Sequence, residues 1–124
     1  MTNNKSEIKS HRDLIAWQKA MDLVVETYKI SRGFPREEQY GLTRQMRRAA
    51  VSVPADIAEG QGRRLRGEFK LFLGNARGSL LELDPHLEIS LRLGYVNIDR
   101  YQPIQSQIHE VGRILNGLLR SIDC

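Results

Sequence analysis

The chain has 124 residues, enough for one hydrophobic core and too short for a second. Hydrophobic residues make up 40% and charged residues 27%, and no apolar run approaches the roughly 20 residues of a spanning helix, so neither a largely disordered chain nor membrane insertion is indicated. The net charge of +4 conceals an asymmetry: Arg44 to Arg77 holds eight basic residues against three acidic ones, and the rest of the chain carries a net −1.

Residues 1–12, including "MTNNKSEIKSH", show no periodicity and are expected to form a disordered tail ahead of a single domain over 13–124. This polar start has no signal-peptide apolar region, which points to the cytoplasm by default. The one cysteine, Cys124, allows neither a disulfide framework nor a thiolate metal cluster, and as the last residue it makes a weak nucleophile.

A first helix is predicted from Leu14, Trp17, Met21, Val24 and Tyr28, which step by three and four residues, with Asp13 near its N-terminus. Gly33 and the Phe34-Pro35 pair end it. After the connector "FPREEQYG", Leu42, Met46, Ala49, Val53 and Ile57 give a second stripe, interrupted by Pro54. The proline removes the N–H that would bond the Ala50 carbonyl, so this helix is expected to kink near Pro54, or else to break and restart with Ser52 as a cap.

"EGQGRRLRG" reads as a glycine- and arginine-rich turn. A third helix follows over Phe69, Leu73, Ala76, Leu80, Leu83, Leu87, Ser90 and Gly94, with Pro85 inside it. Gly74 and Gly78, four apart, fit either a close helix crossing or simple tolerance. "GYVN" closes the helix, and Asn97 or Asp99 can cap a fourth through Tyr101, Ile104, Ile108, Val111, Leu115, Leu118 and Ile122. Four such helices, short connectors and no two-residue alternation give an all-α, antiparallel up-down-up-down four-helix bundle.

No catalytic constellation survives inspection. His11, His86 and His109 are dispersed, and none belongs to a Glu-x-x-His pair; His86 and Glu82 read as a solvated surface pair. "GQGRRLRG" follows a helix and lacks the GK[ST] ending of a phosphate loop. Ser52 and Ser79 lack a base at local spacing, so no enzyme, metal or cofactor is expected.

The basic segment carries the functional signal. Arg44, Arg47, Arg48, Arg63, Arg64, Arg66, Lys70 and Arg77 favour arginine over lysine seven to one, which suits bidentate phosphate or carboxylate contacts. Two partners fit: RNA or DNA phosphates, or the carboxylates of another protein, in which case the chain is an oligomeric scaffold or adaptor.

Along one edge of the third helix Arg66, Lys70 and Arg77 come first, then Asp84 and Glu88. That order opposes the helix macrodipole and suits an antiparallel neighbour, within the bundle or in another subunit, so some of these five are expected at a subunit contact.

Several motifs together are similar to those of the 23S rRNA-intervening sequence proteins. They are Trp17 with Ala20, Phe34-Pro35 followed by Tyr40-Gly41-Leu42, "RRAAVSVP" from Arg47, "IAEG" from Ile57, and Gly78-Ser79 with Glu82-Leu83. The likeness spans about Leu14 to Ile122. It implies an antiparallel four-helix bundle assembling as a homopentamer, without cofactor or catalytic site, and a connection to RNA or the ribosome in bacteria. A more distant likeness to the accessory variability protein of diversity-generating retroelements implies nucleic-acid binding through basic surface.

The chain departs from this pattern at Asp56, where the family commonly has Asn, and at Pro85. An ionised Asp56 accepts hydrogen bonds but cannot donate them, which would strengthen a contact to Arg47, Arg48 or a backbone N–H.

Overall fold

The structure is a computed structural model that describes residues 8–123. Its four helices are α1 (Ile15–Ser31), α2 (Leu42–Gln61), α3 (Arg66–Arg92) and α4 (Ile98–Asp123), with short 3-10 turns at His11–Asp13 and Arg36–Glu38. Among the described residues there is no strand.

Each helix packs on its two neighbours and not across the diagonal: α1 on α2, α2 on α3, α3 on α4, and α4 back on α1. With short connectors this is the antiparallel up-down-up-down bundle that the four apolar stripes predict. The centre is filled by Leu23, Met46, Val53, Ile57, Leu73, Leu83, Leu87, Val111 and Leu115, all fully buried.

The expected tail falls in two parts. Residues 1–7 lie outside the described residues, as does Cys124. In residues 8–13, Ile8 packs on the core and Ser10 and Asp13 form a reciprocal capping box around the 3-10 turn. Asp13 therefore caps that turn and not α1, whose N-cap position is Leu14. Its carboxylate accepts the backbone N–H groups of Lys9 and Ser10, which hold its pKa below the ordinary value.

The seam of α1 is a second correction. Met21 and Tyr28 face solvent, and the buried line is Ala16, Ala20, Leu23, Thr27 and Ile30. Small residues let neighbouring helices approach closely, and the Thr27 hydroxyl loses no hydrogen bond because it donates to the Leu23 carbonyl at 2.8 Å.

Neither proline breaks its helix. The helix α2 runs unbroken through Pro54, and Ser52 donates its hydroxyl to the Arg48 carbonyl at 2.8 Å instead of capping a restart. Pro85 lies on the exposed side of α3, four residues after Leu81, so the carbonyl it leaves without a helical partner belongs to a solvent-facing residue.

The two joints that fix the bundle are built from turn chemistry. At the end of α3, Gly94 adopts φ 79°, Tyr95 N–H bonds the Ser90 carbonyl, and Gly94 N–H bonds the Leu91 carbonyl, the pattern of a Schellman cap. Asn97 then accepts the Arg100 N–H at 3.0 Å to start α4, as the sequence suggests. Where α2 meets α3, a Cβ on Gly60 would stand 2.9 Å from the Phe72 Cβ, so only glycine allows this approach.

Glu38 ties the connectors of one end together. Its Oε1 accepts the Leu42 N–H at 3.2 Å, at the start of α2, and its Oε2 accepts the Tyr95 hydroxyl at 2.8 Å. That bond raises the pKa of Tyr95, whose ring also packs on Phe34 at 5.5 Å. Glu38→Ala removes both bonds and is expected to destabilise the fold by about 2 kcal/mol, seen as a lowered thermal midpoint. An unchanged midpoint would show that the two connectors hold without it.

Candidate nucleic-acid interface

The helical repeat splits the basic segment. Arg44, Arg47 and Arg48 lie in the first half of α2, whereas Arg63 and Arg64 follow its far end. At 1.5 Å per residue, Arg48 and Arg63 are about 22 Å apart along the axis. The eight basic residues therefore do not form one patch.

Several are committed to the fold. Arg47 donates from Nε to the Ser31 hydroxyl at 2.9 Å and lays its guanidinium 4.5 Å over the Tyr28 ring, joining α2 to α1. Arg63 pairs with Glu59 at 2.7 Å and with Glu68 at 4.0 Å, and stacks 4.9 Å over Phe72. Lys70 pairs with Asp123 of α4 at 2.6 Å. Arg66 opens α3 beside an apolar groove that includes Ile8, Phe69 and Leu118.

Among the described residues Arg44, Arg48, Arg64 and Arg77 form no ion pair within the chain, and all four are exposed. Arg44 and Arg48 sit one turn apart on the outward side of α2. With Tyr28, Tyr40, Thr43 and Val51 they line an open cleft of about 630 Å³ at the α1–α2 groove. Arg64 lies beyond the far end of α2, and Arg77 belongs to α3, two helices away from α1.

The mixed-charge edge of α3 has one of its expected neighbours inside the chain. Lys70 meets α4 through Asp123, and Asp84 and Glu88 lie near enough to Tyr101 of α4 to add to the burial that raises its pKa. Glu88 also pairs with Arg92 one turn on, at 2.8 Å.

Between this edge and the α2 side lies a surface that the charges do not reveal. At about 100° per residue, Gly67, Leu71, Gly74, Gly78, Leu81, Pro85 and Ile89 fall on one outward stripe of α3. Leu71 and Leu81 are 60% and 61% exposed, and a Cβ at Gly67, Gly74 or Gly78 would meet nothing within 4 Å. No helix of the same chain crosses Gly74 and Gly78, so within the chain the glycine groove is open. The seven-residue spacing of these apolar positions was the signal that sequence reasoning passed over.

Asp56 makes no hydrogen bond or ion pair among the described residues, contrary to the strengthened contact its charge implies. It lies eleven residues after Gln45, on the flank of α2 facing α3, where Gln45 bonds the His86 ring at 3.0 Å. Arg47 projects from the opposite flank. Burial, and then the nearby Glu59, raise the Asp56 pKa above its ordinary value of 3.8. A raised acid pKa means stability present below that value and lost as pH climbs through the folded one. Asp56→Asn is thus expected to melt higher than the parent at pH 7, with the difference vanishing below about pH 3.8. Equal midpoints at pH 7 would rule out a cost from the charge.

His86 contacts the Glu82 backbone carbonyl at 2.7 Å and not its carboxylate. Among the described residues, no three His, Cys, Asp or Glu side chains come together as metal ligands would, and no helix is long and apolar enough to cross a membrane.

A family model described as "23S rRNA-intervening sequence protein" matches residues 12–117 of the chain. A crystal structure of a protein of unknown function from the S23 ribosomal protein family of Bacteroides thetaiotaomicron is similar in fold, with a TM-score of 0.77 and 21% identity. That likeness covers 85% of this chain and 98% of the other. No curated protein matches.

Proposed function

Since the chain belongs to the 23S rRNA-intervening sequence protein family, we propose that it is a non-enzymatic, oligomeric module that binds RNA or DNA phosphates through arginines. The observation that carries this reading is the pair Arg44 and Arg48. They are exposed, one turn apart, and without a carboxylate partner among the described residues.

Like charges at a spacing of four destabilise a helix by a few tenths of a kcal/mol, so a surface that keeps them together without an ion pair suits an anionic ligand. Arg47, held by Ser31 and Tyr28, adds positive potential beside them at no further ordering cost. Arg64 and Arg77 extend the charge to other faces, where a long polyanion following the surface would meet them.

Assembly draws its support from the outward stripe of α3. An apolar row with glycines on an otherwise charged bundle suits a second copy packed closely against it, and Arg77, Asp84 and Glu88 along its edge would set the register. The family resemblance makes a homopentamer the expected form. The same stripe supports the second reading, a protein scaffold without nucleic acid.

Purification followed by the ratio of absorbance at the nucleic-acid and protein maxima, with the mass by light scattering, tests both parts. Co-purifying nucleic acid on an oligomer supports the first reading. A clean oligomer that retains no added oligonucleotide supports the scaffold.

A further inference from the structure

The geometry points to the α1–α2 cleft as a seat for one nucleotide of a single strand, with its base on Tyr40 and its phosphate held by Arg44 and Arg48. This rests on the nucleic-acid reading above and narrows it, from a charged surface to a built site and from any polyanion to an unpaired strand.

Size comes first. About 630 Å³ lies in the range of sites that hold small molecules, and the cleft is open along one side, as a chain passing through requires. Its walls combine two aromatic rings with arginines, the composition of single-strand platforms, where bases stack and cations track the backbone. Tyr40 is 78% exposed, the highest value among the large apolar and aromatic side chains of the described residues, so its ring is open to a base.

The phosphate position follows from what the cleft cannot use. The start of α2 would ordinarily attract an anion, but Glu38 already accepts the Leu42 N–H there. The anion must therefore be held by side chains, and Arg44 and Arg48, with Cβ atoms about 6 Å apart across one turn, can both reach a single phosphate. Arg47 is fixed against Tyr28 and forms a rigid cationic wall beside them.

Thr43 supplies a further sign of an unfilled site. It is 7% exposed, lines the cleft, and its Oγ1 is the buried side-chain polar atom without a hydrogen-bond partner among the described residues. Such an atom costs stability unless it gains a partner, and a modest shift of the cleft side chains around a sugar or phosphate would supply one. The interior of a duplex cannot use this arrangement, because its bases are already stacked on both faces and offer none to Tyr40.

Fluorescence anisotropy with labelled oligothymidine, oligouridine and a long duplex, in which end faces are few, tests the seat, with polyglutamate as competitor. Either single strand should bind more tightly than the duplex, the two strands distinguishing DNA from RNA. Tyr40→Ala should weaken the single strand about 5- to 100-fold and leave duplex binding and the thermal midpoint unchanged, while Tyr40→Phe retains binding.

Equal affinity for strand and duplex, no effect of Tyr40→Ala, or displacement by polyglutamate as effective as by oligonucleotide would overturn the seat. If Arg44→Glu still weakens binding in the first two cases, the nucleic-acid reading stands without it. If no oligonucleotide binds, both fail.

Discussion

Reversing Arg44 and Arg48 together to glutamate is expected to weaken oligonucleotide binding by at least about 100-fold. Charge-assisted hydrogen bonds are each worth about 1.5–3 kcal/mol, and two are lost while two repulsive charges are gained. Both side chains are exposed and make no hydrogen bond, ion pair or ring contact among the described residues, so the variant should keep the parent's thermal midpoint. Arg47 is the instructive contrast. Its replacement by alanine removes the stack on Tyr28 and the bond to Ser31, so a loss of binding there would be mixed with a loss of stability. Full binding by the double reversal would place any nucleic-acid contact elsewhere.

The second large effect is on assembly. Leu71→Glu with Leu81→Glu puts two carboxylates into the apolar stripe of α3, and light scattering should then report monomers at concentrations where the parent is oligomeric. Each buried leucine contributes about 1.5–3 kcal/mol, so the pair shifts the association constant by about 100-fold or more before the cost of desolvating the charges is added. Since both leucines are more than half exposed in the chain alone, helix content should not change. Charge reversal at Arg77 and Glu88 tests the edge separately; an unchanged oligomeric mass would remove those two from the contact. An unchanged mass in the leucine variant would leave the stripe without a role in self-association.

The four helices were legible because burial follows the three-four spacing of apolar residues, and α2, α3 and α4 bury the stripes that spacing marks. In α1 the sequence seam included Met21 and Tyr28, yet the core selected a line in which small residues alternate with Leu23 and Ile30. Ala16, Ala20 and Thr27 are weak signals in hydropathy and strong ones in packing, because close approach depends on what a side chain lacks. Pro54 was legible as a missing hydrogen bond, and of its two expected consequences, a bent helix or a broken one, the break does not occur.

The candidate site was legible as charge and not as geometry. Eight basic residues close in sequence become separate groups once about 22 Å of helix axis separates Arg48 from Arg63. Which basic residues are committed depends on partners far along the chain, such as Ser31 for Arg47 and Asp123 for Lys70. Tyr40 carried no signal of its own, since an exposed tyrosine in a connector is ordinary until two arginines and a cleft stand beside it.

The most direct measurement is the affinity of the purified protein for a short single-stranded oligonucleotide as a function of salt concentration. Contact by Arg44 and Arg48 with one phosphate gives a log–log slope at least as steep as about −0.7, the value per neutralised phosphate on a single strand. A slope near zero, or no measurable binding at low salt, would contradict nucleic-acid binding by this chain.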